Sequence, residues 1–184
     1  MVMAICLTLV PDQAWAVSNL LSVDHPGGGG IPDLIKETCQ HAVYTDLCIQ
    51  TMELEPDSAK SDIKSLASIA LKIAASNGTY ISDYIRRLIQ TTADPYLQQC
   101  LTDCSENYID AIDQLEDSIS ALESRGYSDI NHWVTGAMNE IESCEEGFKE
   151  VPGHTSLLSD KNALFTKLCS NALAIANYLA GRRE

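Results

Sequence analysis

The sequence lacks the cysteine and histidine spacings that mark metal sites in proteins. Its seven cysteines include no Cys-x-x-Cys pair, and none of its four histidines stands at ligand spacing from another. Glu-x-x-His motifs, which supply iron ligands inside helical bundles, are missing as well. We therefore expect no metal and no cofactor.

Basic residues and long hydrophobic runs are also scarce. Lys and Arg number 12 against 26 Asp and Glu, so the net charge is −14 at pH 7. That charge repels nucleic acid and anionic membrane surfaces, and no run reaches the ~18 apolar residues that a membrane span needs. We expect a neutral or basic partner, and neither nucleic acid nor membrane.

A catalytic constellation is missing too. The histidines are scattered along the chain, and none accompanies a recognisable nucleophile elbow or a Cys-His pair. We therefore predict that the chain is not an enzyme.

The chain divides into three parts. Residues 1–16 place a short apolar run before "AWA", the small-x-small pattern of a signal-peptide cleavage site. Residues 17–30 end in four consecutive glycines, which favour a flexible lead-in. Residues 31–184 are long enough for one domain with its own core, and secretion is the expected destination.

Strand-like alternation is absent after Ile31, and the apolar period is helical almost throughout. A short helical hairpin is predicted at 31–53, where Cys39 and Cys48 lie close enough in sequence to bridge it. The fold class is therefore all-α: an up-down-up-down four-helix bundle over about residues 59–180, preceded by this hairpin. Its helices are predicted at about 59–91, 95–124, 129–148 and 159–180.

Several residues predict where these helices begin and end. Asp57 or Ser58 is the expected N-cap of the first long helix, and Pro95 is expected in the first turn of the second. Gly126 is expected to take the left-handed conformation that ends the second helix. Asn77, which opens the triplet "NGT", is expected to kink the first helix and is a candidate glycan acceptor.

The cysteine count supports disulfide bonding. Removal of a signal peptide discards Cys6 and leaves an even number of cysteines, which is typical of disulfide-bonded secreted proteins. The six that remain are Cys39, Cys48, Cys100, Cys104, Cys144 and Cys169.

An acidic stretch, "DCSENYIDAIDQLEDS" at 103–118, contains no basic residue. On a helical wheel Cys104 lies on the apolar face, and the carboxylates form a stripe on the opposite face. Like charges three or four residues apart destabilise a helix by about 0.2–0.5 kcal/mol per pair, whereas lysines at alternate positions would have avoided this. The stripe consists of Asp103, Glu106, Asp110, Asp113 and Asp117.

A covalent anchor would turn this stripe into a rigid surface. If Cys104 were bonded to Cys144 on the third helix, the stripe would be held beside Glu145 and Glu146, and such pre-ordering favours binding. We therefore interpret the stripe as a recognition surface for a basic partner. The alternative is a solvated face that only keeps an acidic protein soluble.

Four cysteine-centred blocks, in this order, resemble the plant invertase and pectin methylesterase inhibitor family. They are "ETCQHAVYTDLCIQ", "CSENYIDAIDQL", "INHWVTGAMNEIESCEEGF" and "LCSNALAIANYL". The resemblance covers about residues 31–179 and implies a secreted four-helix bundle with an N-terminal hairpin.

The resemblance also implies how the cysteines pair. It matches Cys39 with Cys48 and Cys104 with Cys144 as the family's two disulfides. Cys169 matches a cysteine that is unpaired in some members, and Cys100 is additional to the family pattern. Whether Cys100 and Cys169 pair with each other or stay free is open at this point.

The function that the resemblance implies is inhibition of pectin methylesterase or of acid invertase. The block "CSENYIDAID" is similar to that of methylesterase inhibitors, and "RGYSDIN" replaces the Pro-Lys-Phe of many invertase inhibitors, so the first is expected. The protein would act in the apoplast, as a monomer that covers the enzyme's pectin cleft in a one-to-one complex. The alternatives are an inhibitor of cell-wall or vacuolar acid invertase and a non-inhibitory structural or allergen-like bundle. The partner-binding residues indicated are Glu106, Asn107, Asp110, Asp113, Asn131 and Glu146.

Overall fold

The computed structural model describes residues 33–150 and 153–182. The predicted signal peptide at 1–16 and the lead-in at 17–30 lie outside the described residues. Within the described ranges the regular elements are helices and no strand occurs, which confirms the all-α prediction. The α-helices are α1 (Asp33–Cys39), α2 (Thr45–Leu54), α3 (Ile63–Thr91), α4 (Pro95–Ser124), α5 (Tyr127–Gly147) and α6 (Ser159–Gly181).

Helices α3 to α6 form the expected four-helix bundle. Each packs against the next along the chain, and α6 returns beside α3 to close the ring. The buried faces are mainly aliphatic, with Tyr108 and Phe165 meeting edge to face at 5.5 Å between ring centroids. Burial of these apolar stripes, at about 25 cal/mol per Å², is the main force that holds the amphipathic helices together.

The N-terminal hairpin is fastened to the bundle by a disulfide and a buried amide. Cys39 in α1 is bonded to Cys48 in α2. Asn171 of α6, only 4% exposed, accepts from the backbone N–H of Tyr44 at 2.8 Å and donates to its carbonyl at 3.0 Å. The turn between α1 and α2 is thereby fixed against α6.

The start of α4 is as predicted and that of α3 is not. Pro95 is the first residue of α4, where Asp94 caps the free backbone N–H groups. The predicted cap of α3 at Asp57 or Ser58 is wrong, because Ser58 begins a short 3-10 turn. Asp62 caps α3 instead, accepting from the N–H of Ser65 at 2.7 Å.

The left-handed residue after α4 is Arg125, with φ of 67°, so the prediction of Gly126 is wrong by one position. Gly126 donates its N–H to the carbonyl of Ala121 at 2.8 Å. This six-residue closure requires the left-handed conformation at the residue directly before Gly126, namely Arg125.

The "NGT" triplet lies within the uninterrupted helix α3. A Cβ at Gly78 would lie 2.9 Å from Phe165 and 3.0 Å from Ile112, so glycine here permits close helix packing. Asn77 is only 7% exposed. A glycan needs an exposed acceptor, so this burial disfavours Asn77, the candidate acceptor.

Candidate interaction surface

The predicted acidic stripe is exposed along one side of α4. Its five carboxylates point to solvent, while Cys104, Tyr108 and Leu115 of the same helix are buried in the bundle. We call this stripe the acidic face. It consists of Asp103, Glu106, Asp110, Asp113 and Asp117.

The acidic face has no cationic neighbour on its own helix or the next. The sequence of α4 contains seven acidic and no basic residues, and that of α5 five acidic and no basic. Within 33–150 and 153–182, no ion pair reaches the acidic face. The ion pairs found there join Arg86 to Asp83, Arg182 to Glu37 and His154 to Asp94.

A disulfide lies beneath this side of the bundle. The bond between Cys104 and Cys144 joins α4 to α5 with 4.7 Å between the Cα atoms, and both residues are buried. The predicted pairing is thus confirmed. The backbone that carries the acidic face is covalently tied to the neighbouring helix, so less ordering is needed when a partner binds.

Side chains of α4 and α5 also meet along the contact between the two helices. Asn107 donates from Nδ2 to Oε2 of Glu140 at 2.8 Å. Further along, the Oε1 atom of Gln114 occupies the space that a Cβ would take at Gly136. Glu140 and Gln114 were not among the predicted site residues, because their roles depend on the register between two helices.

The six predicted partner-binding residues do not form one cluster. Four lie together on α4. Asn131 lies on the α6 side of α5, where its Nδ2 donates to Oδ1 of Asn177 at 2.7 Å. Glu146 lines a groove of about 520 Å³ between α5 and α6. The expectation that Glu145 and Glu146 continue the stripe is therefore wrong, because Glu145 also faces α6.

Glu145 belongs to a partly buried hydrogen-bond network next to the disulfide. Its carboxylate accepts from Ser159 and from Nδ2 of Asn162, each at 2.7 Å. Burial by itself would raise the pKa of Glu145, but hydrogen bonds from Ser159, Ser156 and Asn162 outweigh it and lower the pKa. This network fixes α5 against α6.

Tyr108 extends this network to α4. Its hydroxyl donates to Oδ1 of Asn162 at 2.9 Å. Burial is the main cause that raises the pKa of Tyr108, so the phenol stays neutral. The sequence placed Tyr108 in the core, and a buried tyrosine needs a polar partner, but the identity of that partner depends on the position of α6.

The remaining two cysteines are free and buried in the structure. Cys100 lies near the carbonyl of Gly147, with 3.6 Å from its sulfur to the oxygen. Burial raises the pKa of Cys169, so its thiol stays protonated. The question that the sequence left open is thus answered in favour of two unpaired thiols.

Metal ligation and membrane insertion find no support in the described part of the chain. No group of three or more His, Cys, Asp or Glu residues there is arranged to hold a metal ion. None of the helices described is both long enough and apolar enough to cross a membrane.

Comparison with known proteins places this architecture among plant inhibitors. The family described as plant invertase/pectin methylesterase inhibitor matches residues 33–175. A pectinesterase inhibitor of Actinidia deliciosa is 33% identical, covering 82% of this chain and 81% of its own. The cell wall / vacuolar inhibitor of fructosidase 2 of Arabidopsis thaliana is 32% identical, over 65% of this chain and 67% of its own.

A similar fold is found in a solved structure. The crystal structure of mutant form A of a pectin methylesterase inhibitor from Arabidopsis superimposes with a TM-score of 0.64 at 22% identity. The match covers 76% of this chain and 92% of that one. Together with the family match over most of the sequence, the helices and both disulfides show that the chain belongs to the plant invertase/pectin methylesterase inhibitor family.

Proposed function

We propose that the protein is a secreted inhibitor of plant pectin methylesterase that acts in the cell wall. The observation that carries the proposal is the acidic face, whose exposed carboxylates share one sign and lie above an interhelical disulfide. The similarity to the Actinidia pectinesterase inhibitor supports the choice of enzyme. By forming a one-to-one complex, the bundle covers the cleft that binds pectin and so limits de-esterification of the polymer.

The mechanism is steric and electrostatic. A cleft that binds an anionic polymer carries positive potential, which the carboxylates of α4 complement. Such complementarity speeds association and fixes the orientation of the partner. The inhibitor takes part in no bond-making step, and the polymer is excluded because the cleft is occupied.

Within the acidic face, Glu106, Asp110 and Asp113 are proposed to contact the enzyme directly, with Asn107 beside them. Glu140 acts as a positioning residue because it holds the amide of Asn107 at 2.8 Å. Asn131 and Glu146 would contact an enzyme only if it also reaches the side of α5 that faces α6.

The proposal is tested by titrating the oxidatively folded protein against a plant pectin methylesterase at mildly acidic pH. We expect residual activity to fall to a plateau near one equivalent. Asp110→Lys should weaken inhibition about 10-fold, since it replaces an attractive charge with a repulsive one in the interface. Asp57→Lys makes the same change at an exposed position outside the acidic face and should have little effect.

Ionic strength gives a second measurement in the same assay. Added salt should weaken inhibition by the unmodified protein, because exposed charges are screened over about 8 Å at physiological ionic strength. The same addition of salt should weaken inhibition by Asp110→Lys less than inhibition by the unmodified protein. Equal inhibition by both variants, independent of salt, would refute the role of the acidic face.

Acid invertase is the second candidate target, favoured by the similarity to the Arabidopsis inhibitor of fructosidase. A parallel titration against a plant acid invertase shows which of the two candidate enzymes is the target. Loss of invertase activity alone would keep the acidic face as the binding surface and change the enzyme. No effect on either enzyme, across several isoforms, would indicate a non-inhibitory bundle.

A further inference from the structure

A groove of about 900 Å³ lies between the hairpin and the bundle, with walls from α2, α3 and α6. A smaller groove of about 540 Å³ between α2 and α3 continues it, and both are lined by Leu47, Asn77, Tyr80 and Leu164. The hairpin packs on α3 and α6. The groove therefore lies on a different side of the bundle from the acidic face of α4.

The wall of this groove contains a buried amide oxygen without a partner. Asn77 lines both parts of the groove and is 7% exposed. Its Oδ1 atom is buried and accepts no hydrogen bond from any residue that the structure describes. Buried polar groups in folded proteins are almost always paired, so Asn77 points to a ligand that pairs with its amide once the side chain turns toward the groove.

Aromatic rings and charged groups of both signs surround Asn77. The ammonium of Lys161 lies 5.4 Å from the ring centroid of Tyr80, and that of Lys167 lies 5.5 Å from the ring centroid of Tyr44. Asp46 and Asp160 also line the groove. The lining thus offers amphipathic ring faces, hydrogen-bond donors and hydrogen-bond acceptors within one concave site.

This combination fits a sugar better than an apolar peptide. Sugar rings present apolar C–H faces that pack on tyrosine, and hydroxyl groups that both donate and accept hydrogen bonds. An apolar helix would leave Asn77 unpaired and would desolvate Lys161 and Asp160 without compensation. The observations therefore favour a polyhydroxylated ligand.

Charge decides which sugars fit. The two lysines and two aspartates of the larger part of the groove balance, and the smaller part adds one lysine, Lys72, against the two carboxylates of Glu55 and Asp83, whereas the whole chain carries −14. A sugar chain that bears a carboxylate on every ring would be repelled by that overall charge. We propose that the groove binds a short uncharged oligosaccharide, such as a methyl-esterified segment of a uronic acid polymer. The proposal does not depend on which enzyme is inhibited, because the groove is separate from the acidic face.

The test is a titration of the ¹⁵N-labelled, disulfide-bonded full chain, without any enzyme, followed by backbone amide shifts. The probes are methyl-esterified hexagalacturonate, its unesterified form and sucrose. We expect saturable shifts with the ester at Tyr44, Tyr80 and Lys161, and none along the acidic face. The unesterified form should bind at least about 10-fold more weakly because of charge repulsion.

Two variants distinguish binding from structural support. Asn77→Leu keeps a similar volume and removes the unpaired amide, so it should weaken ester binding about 10-fold without lowering the melting temperature. Tyr80→Ala should abolish ester binding. Ile109→Ala is the control, because it truncates a 52% exposed side chain on α4 that does not line the groove.

Several results would overturn the proposal. They are the absence of saturable shifts with every probe, shifts confined to α4, and unchanged ester binding by Asn77→Leu and Tyr80→Ala. Tighter binding of the unesterified form would refute the assignment to an uncharged ligand. Val43 lies at the rim of the groove and is 68% exposed. If the NMR lines broaden with protein concentration in the absence of sugar, and Val43→Ser removes this broadening, the groove binds a second copy of the chain instead.

Discussion

Removal of the disulfide between α4 and α5 should destabilise the protein more than removal of the disulfide in the hairpin. Cys104 and Cys144 are separated by 40 positions, and Cys39 and Cys48 by nine. Loop-closure entropy then predicts losses of about 3.9 and about 2.6 kcal/mol on opening the two bonds. All four residues are at most 3% exposed, so the packing lost on replacement by alanine is similar at both sites.

Two paired variants, Cys104→Ala/Cys144→Ala and Cys39→Ala/Cys48→Ala, test this difference. Urea unfolding followed by circular dichroism, with linear extrapolation to zero denaturant, gives the free energy of unfolding of each. A loss of about 3.9 kcal/mol is a large part of the 5–15 kcal/mol typical of a domain. We therefore expect Cys104→Ala/Cys144→Ala to unfold at a clearly lower urea concentration than the unmodified protein. The midpoint of Cys39→Ala/Cys48→Ala should lie between those two.

The same variants report on the acidic face. At a temperature where both remain folded, inhibition of the target should weaken only in Cys104→Ala/Cys144→Ala, because this bond ties α4 to α5 beneath the carboxylates. Equal losses of stability in the two variants, or a larger loss in the hairpin variant, would refute the argument from loop length. Unchanged inhibition in both would refute the role assigned to pre-ordering.

Three further substitutions and one control substitution test the packing and the partly buried network. Gly78→Ala should lower the free energy of unfolding by about 1–2 kcal/mol in the same urea assay, because its Cβ would lie 2.9 Å from Phe165; Gly147→Ala, with open space around it, should be neutral or stabilising. Tyr108→Phe should cost about 1 kcal/mol through the lost hydrogen bond, with a smaller loss arguing against the network. Glu145 has a lowered pKa, so it stabilises the fold above its usual value of 4.5 and this contribution is lost as pH falls through the lowered value. Stability of Glu145→Gln, measured by thermal melts from pH 7 to pH 3, should therefore fall less on acidification than that of the unmodified protein.

Local sequence signals predicted α4 and its exposed charge well. Asp94 and Pro95 mark its start and the turn around Gly126 its end, so the predicted and observed limits agree. The 3.6-residue period alone separates Cys104 from the acidic face. These features depend on contacts between residues near one another in sequence, and such contacts can be read without knowing the fold.

Features that depend on packing between helices were predicted less well. Glu146 was expected beside the stripe and Asn131 among the same partner-binding residues, but the side of α5 that faces α6 is set by how the two helices pack. The polar partners of Asn107 and Tyr108 were unknown for the same reason, since residues far apart in sequence supply them.

The sequence by itself determined the all-α class, the four-helix bundle and the stripe of like charge, because each follows from composition and from a periodic pattern. The family resemblance added the two disulfide pairings. Only the tertiary structure decided that Cys100 and Cys169 stay unpaired, that Glu145 joins a network on α6, and that Asn77 lies buried beside a groove. These outcomes depend on the relative positions of whole helices, which many weak contacts set together.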